Sequence, residues 1–158
     1  MESGLHFMVV LCLTSGLWTG ANVNEYGKCC PPGWTLFYQN CYMFHYGEMS
    51  WADAEHFCTI IGGHLASLPT IEEYKLLRGG LQLVTGSNKN CWVGGYYAAK
   101  DGVWLWSDGS KFDFTGWGKG EPNNEATGNC MEINYKGQDY VNDTNCDQKK
   151  SFLCSKHL

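Results

Sequence analysis

The sequence predicts a mixed α+β domain with two helices, antiparallel strands and one long loop, stapled by disulfides. Three observations carry this. Two segments combine helical apolar spacing with good N-caps, several short segments read as strands, and eight cysteines remain once an export signal is set aside. At 158 residues the chain has the length of a single domain.

Residues 1–21 read as a signal peptide. Leu5 to Leu17 is largely apolar, and Thr19-Gly20-Ala21 offers small residues for cleavage. The basic residues usual at such a start are missing, and Glu2 is the only charge there. The apolar run is too short and interrupted to span a bilayer comfortably. No later segment is apolar enough to cross one, so the product is expected to be secreted and extracellular.

Residues 22–29 are expected to form a short N-terminal lead, and 30–158 the domain. Cys30-Pro31-Pro32-Gly33-Trp34 reads as a turn, followed by a hairpin of Thr35 to Tyr38 and Cys41 to His45. Ser50 is a good N-cap with Asp53 in the first turn. Trp51, Ala54, Phe57, Cys58 and Ile61 then share one helical face, and Gly62-Gly63 ends it. His64 to Leu68 alternates like a short strand. Thr70 and Glu73 form a capping box for a second helix, expected to stop at Gly79-Gly80 after about Arg78. Cys91 to Gly95 reads as a buried strand closed by its glycines.

From Tyr96 to Asn129 periodicity is weak and Gly, Asp, Asn and Trp dominate. Trp104 to Trp106 is a candidate strand and Ser107-Asp108-Gly109 a turn. So long a loop within a domain is usually functional. Cys130 to Tyr135, Asp139 to Asn142 and Ser151 to Cys154 read as closing strands.

Charge and composition exclude some functions. Net charge is −5 with scattered Lys and Arg, which disfavours nucleic acid and anionic membranes as partners. Seven Trp and nine Tyr can supply a dense core. Cys12 falls in the signal. The remaining eight cysteines lack the CxxC-type pairs zinc would need, so a disulfide framework is expected.

From Cys30 to Cys154 the chain resembles the C-type lectin-like domain. The matching pieces are Cys30-Pro-Pro-Gly-Trp, Cys41-Tyr42, Ser50-Trp51-Ala52-Asp53-Ala54, His64-Leu65-Ala66-Ser67, Trp92-Val93-Gly94-Gly95, Trp106-Ser107-Asp108-Gly109, Glu121-Pro122-Asn123, Asn142-Asp143 and Phe152-Leu153-Cys154. The double Cys29-Cys30 is similar to small secreted lectins and type II antifreeze proteins of fish. The resemblance implies the pairs Cys30–Cys41, Cys58–Cys154 and Cys130–Cys146. It leaves Cys29 and Cys91 either to bond each other or to leave Cys29 linking two chains into a homo-oligomer.

The resemblance also implies a calcium site with Glu121, Asn123, Asn142 and Asp143 as metal and carbohydrate ligands. Calcium takes several oxygen ligands, which carboxylates and amide carbonyls supply. Pro122 between the first two could be cis. In the family, the order Glu then Asn accompanies mannose-type sugars with equatorial vicinal hydroxyls, and Gln-Pro-Asp accompanies galactose. Glycans of microbes, in innate defence, are the implied partners.

Three departures bear on this. A further acid is usual where Gly128 stands, so Glu125 or Asn129 would have to replace it. Val141 stands where Trp is usual. Asn142-Asp143-Thr144 is also an N-glycosylation sequon, which would compete with the ligand role of Asn142. Tyr97 lacks the acid a second calcium would need. The alternative functions are ice binding on the same fold, and an enzyme using Glu121 with Asp143 as a carboxylate pair; no enzyme is expected.

Overall fold

The computed structural model describes residues 29–98, 100, 102–124 and 129–158. The expected signal peptide, most of the lead, Glu125 and Gly128 lie outside the described residues. In chain order the elements are β1 (Thr35–Phe37), β2 (Asn40–Met49), α1 (Trp51–Ile60), β3 (His64–Leu65), α2 (Ile71–Thr85), β4 (Cys91–Ala98), β5 (Val103–Trp106), β6 (Asn129–Ile133), β7 (Asn142–Asn145) and β8 (Lys150–His157). None of the helices described is long and apolar enough to cross a bilayer.

Both helices start where side-chain caps meet orphan backbone donors. The Ser50 hydroxyl accepts from the Asp53 N–H at 3.2 Å, and the Thr70 hydroxyl from the Glu73 N–H at 3.1 Å. α1 buries Ala54 and Cys58. α2 passes straight through Gly79-Gly80 and ends at Gly86, whose φ of 73° closes the last turn. The glycines therefore do not stop it. Leu77 and Leu81 are both buried, one turn apart, on either side of the pair. Burying a leucine contributes about 1.5–3 kcal/mol, which outweighs roughly 1 kcal/mol lost per helical glycine.

The sheet has the order β1-β2-β8-β4-β6-β7, with β3 added to β8 and β5 to β4. Pairings are antiparallel except β4 with β8, which is parallel through Cys91↔Ser151 and Trp92↔Phe152. The antiparallel strands expected from the sequence are joined by this one parallel pairing, because the last strand inserts between two neighbours of opposite direction. β4 also runs past its glycines to Ala98. A Cβ at Gly94 would lie 2.6 Å from the Leu65 carbonyl oxygen, and one at Gly95 2.9 Å from Met131. Those glycines permit close packing inside the strand rather than ending it.

Two buried clusters flank the sheet. One gathers Leu68, Tyr74, Leu77, Leu81, Val93, Trp106, Met131 and Leu153 beneath α2; the other gathers Ala54, Leu65, Trp92 and Phe152 beneath α1.

Disulfides join Cys30 to Cys41, Cys58 to Cys154 and Cys130 to Cys146. Cys91 is a free, fully buried thiol, so the Cys29–Cys91 bond does not form. Topology explains this. Cys29 adjoins Cys30, which is bonded to Cys41 on β2, whereas Cys91 opens β4, two strands further along the sheet. Two strand spacings are about 10 Å, more than the roughly 7 Å Cα separation a disulfide tolerates. Burial raises the Cys91 pKa, with the Glu132 charge adding to it. Cys91 should therefore resist alkylation in the folded protein and react only on unfolding; peptide mapping after iodoacetamide treatment with and without denaturant reads this directly.

Candidate functional site

The site is assembled from two segments about twenty residues apart: the end of the long loop at 118–124, and residues 140–143, which lead into the edge strand β7. The sheet register brings them together. β6 pairs with β7, setting Met131 opposite Asp143 and Glu132 opposite Asn142. The Cys130–Cys146 disulfide closes this hairpin.

Backbone and side-chain bonds then fasten the loop to the edge strand. The Gly118 N–H donates to the Val141 carbonyl at 2.9 Å. The Tyr140 hydroxyl lies 2.7 Å from the Lys119 carbonyl oxygen and 3.3 Å from Glu121 Oε1. A Cβ on Gly118 would collide with the Tyr140 ring, so this contact requires glycine. Asp143 holds the loop hardest. Its Oδ1 accepts from the Asn123 N–H at 2.9 Å, and its Oδ2 from the Asn124 N–H at 3.0 Å. The Glu121-Pro122 peptide bond is cis, and Glu121 Oε2 also accepts from the Asn123 N–H at 3.1 Å.

Two carboxyls thus converge. Burial pushes the Glu121 carboxyl above the ordinary carboxylate range, and a hydrogen bond shared with the Asp143 carboxyl pushes it further. Around them the donor chemistry is all oxygen, carboxylate and amide. That suits a hard cation such as calcium better than zinc. Among the described residues no three His, Cys, Asp or Glu side chains converge. Two carboxylates would therefore depend on amide oxygens to complete a coordination shell. Asn129 Oδ1 is one such candidate. It is buried without a hydrogen-bond partner, and its Nδ2 lies 3.4 Å from Asn124 Oδ1.

Asn142 is placed differently from the other three. It is buried, and its Nδ2 donates to Glu132 Oε1 at 2.8 Å rather than to Glu121. That is also the nitrogen a glycan at the Asn142-Asp143-Thr144 sequon would occupy, and in the folded domain it is buried against Glu132. Of the tryptophans, Trp92 and Trp106 are buried, and Trp104 and Trp117 pack edge to face at 4.7 Å beneath the loop. Two residues here escape sequence reasoning, Tyr140 and Glu132. A lone Glu within the apolar run Cys130-Met131-Glu132-Ile133 is the signal that could have found the second.

The matches to known proteins follow this geometry. The family model for the lectin C-type domain matches residues 47–156. The chain belongs to the C-type lectin family. "Galactose-specific lectin nattectin" of Thalassophryne nattereri is 42% identical over 160 residues and the two chains cover each other fully. Among solved structures, a Ca2+-dependent type II antifreeze protein in its Ca2+-free form is 33% identical with a TM-score of 0.72, covering 80% of this chain and 99% of that one. An SPL-1–GlcNAc complex is 30% identical with a TM-score of 0.69, covering 80% and 94%. Membership in a lectin family makes this a binding protein rather than an enzyme.

Replacing Asp143 with Asn removes one acceptor oxygen and strands one loop N–H. Asp143→Asn should therefore lower stability by about 1–3 kcal/mol even in chelator, read by thermal or denaturant unfolding. Because the Glu121 carboxyl binds its proton more tightly than usual, a cation there must displace it. Cation affinity should fall with decreasing pH from a point above the ordinary glutamate value of about 4.3, measured by calorimetric titration across pH 7.5 to 4.5.

Proposed function

We propose that this protein is a secreted lectin that binds mannose-type sugars through calcium held by Glu121, Asn123, Asn142 and Asp143. Asn129 or Glu125 completes the ligand set, and glycans on microbes are the targets. The observation that carries this reading is the convergence of the Glu121 and Asp143 carboxyls, with Asp143 clamping the 123–124 backbone. Opposed carboxyls of this kind favour a bound cation.

Calcium bound there would supply positive charge and coordination positions for two sugar hydroxyls. The chain's own groups then set polarity. Glu121 and Asp143, when ionised, can only accept, so each takes a hydroxyl proton. Asn123 and Asn142 carry N–H bonds and can donate to a hydroxyl oxygen. The order Glu then Asn along the loop fixes which hydroxyl donates to which side, and the order supports equatorial vicinal hydroxyls of the mannose class.

Galactose is the second reading, favoured by the relative named a galactose-specific lectin. Ice binding is the third, favoured by similarity to a type II antifreeze protein.

The experiment is retention on mannose and galactose resins with calcium, followed by elution with a chelator. Retention on mannose and release by chelator are expected. Retention on galactose alone would overturn the sugar class, and no retention together with thermal hysteresis would overturn the lectin reading. Exchanging the pair as Glu121→Gln with Asn123→Asp should move preference toward galactose. Unchanged preference would sink the polarity argument.

A further inference from the structure

Glu132 is a fully buried carboxylate inside a fully buried strand, between Met131 and Ile133. Three donors surround it. Its Oε2 accepts from Asn90 Nδ2 at 2.7 Å and lies 3.0 Å from the Lys150 ammonium. Its Oε1 accepts from Asn142 Nδ2 at 2.8 Å. The Lys150 side chain is itself largely buried and lies over the Trp92 ring, 5.1 Å from the centroid. A buried charge is costly unless it is paired and hydrogen-bonded, and here it is both. The sheet register sets Glu132 directly opposite Asn142.

We infer that Glu132 is a positioning residue for the ligand site, fixing the Asn142 amide so that Oδ1 is the end left to meet a cation. The inference rests on the reading of Asn142 as a ligand. Its physical basis is that an ionised carboxylate accepts and never donates. Only the nitrogen end of the amide can face it, since an amide oxygen there would set two acceptors against each other. The Asn142 amide has two N–H bonds. Glu132 takes one, and the other stays available for a sugar hydroxyl. Lys150 and Asn90 keep Glu132 from turning, because both of their donors sit on Oε2.

A glutamine at 132 has the same shape and the opposite consequence. Lys150 and Asn90 are donors, so glutamine would place its oxygen toward them and its NH2 toward Asn142. The Asn142 amide would then have to flip and present Nδ2 to the cation. An aspartate at 142 would repair this, since it accepts from the glutamine NH2 with one oxygen and offers the other to the cation.

The test is calcium titration of wild type, Glu132→Gln, Asn142→Asp, and Glu132→Gln with Asn142→Asp, each checked for its melting temperature in chelator. Glu132→Gln should weaken calcium binding roughly 10–100-fold, the range typical of groups that orient metal ligands. The double variant should recover most of that loss and bind calcium more tightly than Asn142→Asp alone, in which two carboxylates face each other, an order that added charge by itself would not produce. Calcium binding by Glu132→Gln within about twofold of wild type, or no recovery in the double variant, would overturn the inference. The side-chain amide signals of Asn142, read by nuclear magnetic resonance in chelator, separate this from the calcium reading. If wild type binds no calcium, that reading fails, and the amide signals still decide. Protection from solvent exchange in wild type and a shift in Glu132→Gln support the positioning role. Rapid exchange in wild type overturns it.

Discussion

The placement of β8 constrains everything else. This last strand pairs with β2 on one side and with β3 and β4 on the other, so both of its edges are used. Its residues Ser151 to Cys154 are buried, and Cys154 is bonded to α1 through Cys58. With the two ends of the domain locked together, the strands from β4 to β7 form one flank of the sheet. The long stretch between β5 and β6 can only lie along that flank. A disulfide spanning 96 residues stabilises such closure chiefly by restricting the unfolded chain.

A rigid flank permits a loop with almost no regular structure to be ordered by a few side chains. Asp143 illustrates the economy of this. Each of its oxygens satisfies one loop N–H, replacing the ladder partners those groups would have in a sheet. The same carboxylate cannot move without releasing the loop. A carboxylate that clamps a loop in this way is oriented before any ligand arrives, which reduces the ordering cost of binding. The glycine at 118 serves the same end, since only a residue without Cβ lets the loop lie against Tyr140.

Local signals were legible in the sequence and long-range ones were not. Ser50 and Thr70 mark both helix starts because capping depends on residues three apart. The glycine pair at 79–80 misleads because the propensity cost is local, while the burial of Leu77 and Leu81 that overrides it is tertiary. Family resemblance supplied the three disulfides observed, but the state of Cys91 depended on the strand order that carries it into the core. At the site, family resemblance singled out the Glu121-Pro122-Asn123 and Asn142-Asp143 segments, and the structure brings Glu121, Asn123 and Asp143 together. The roles of Tyr140 and Glu132 could not be read from the sequence, because each is defined by a partner that only the register brings near.

The distribution of unsatisfied groups points to the same flank. Buried polar atoms normally find partners, and those that do not mark places where stability yields to another demand. Among the described residues four such atoms occur, at Asn88, Trp104, Trp106 and Asn129. Three of the four lie on β5 and β6, the strands that enter and leave the long loop. The two indole N–H groups belong to an aromatic layer of Trp104, Trp106, Phe112 and Trp117 that supports the loop from below. The Asn129 oxygen belongs to the residue that reaches the loop at Asn124. By contrast, the half-buried Glu55 is engaged by His64, the Leu65 N–H and Ser107. The strands on either side of the long loop therefore keep unused hydrogen-bonding capacity, an arrangement suited to recognition rather than to stability.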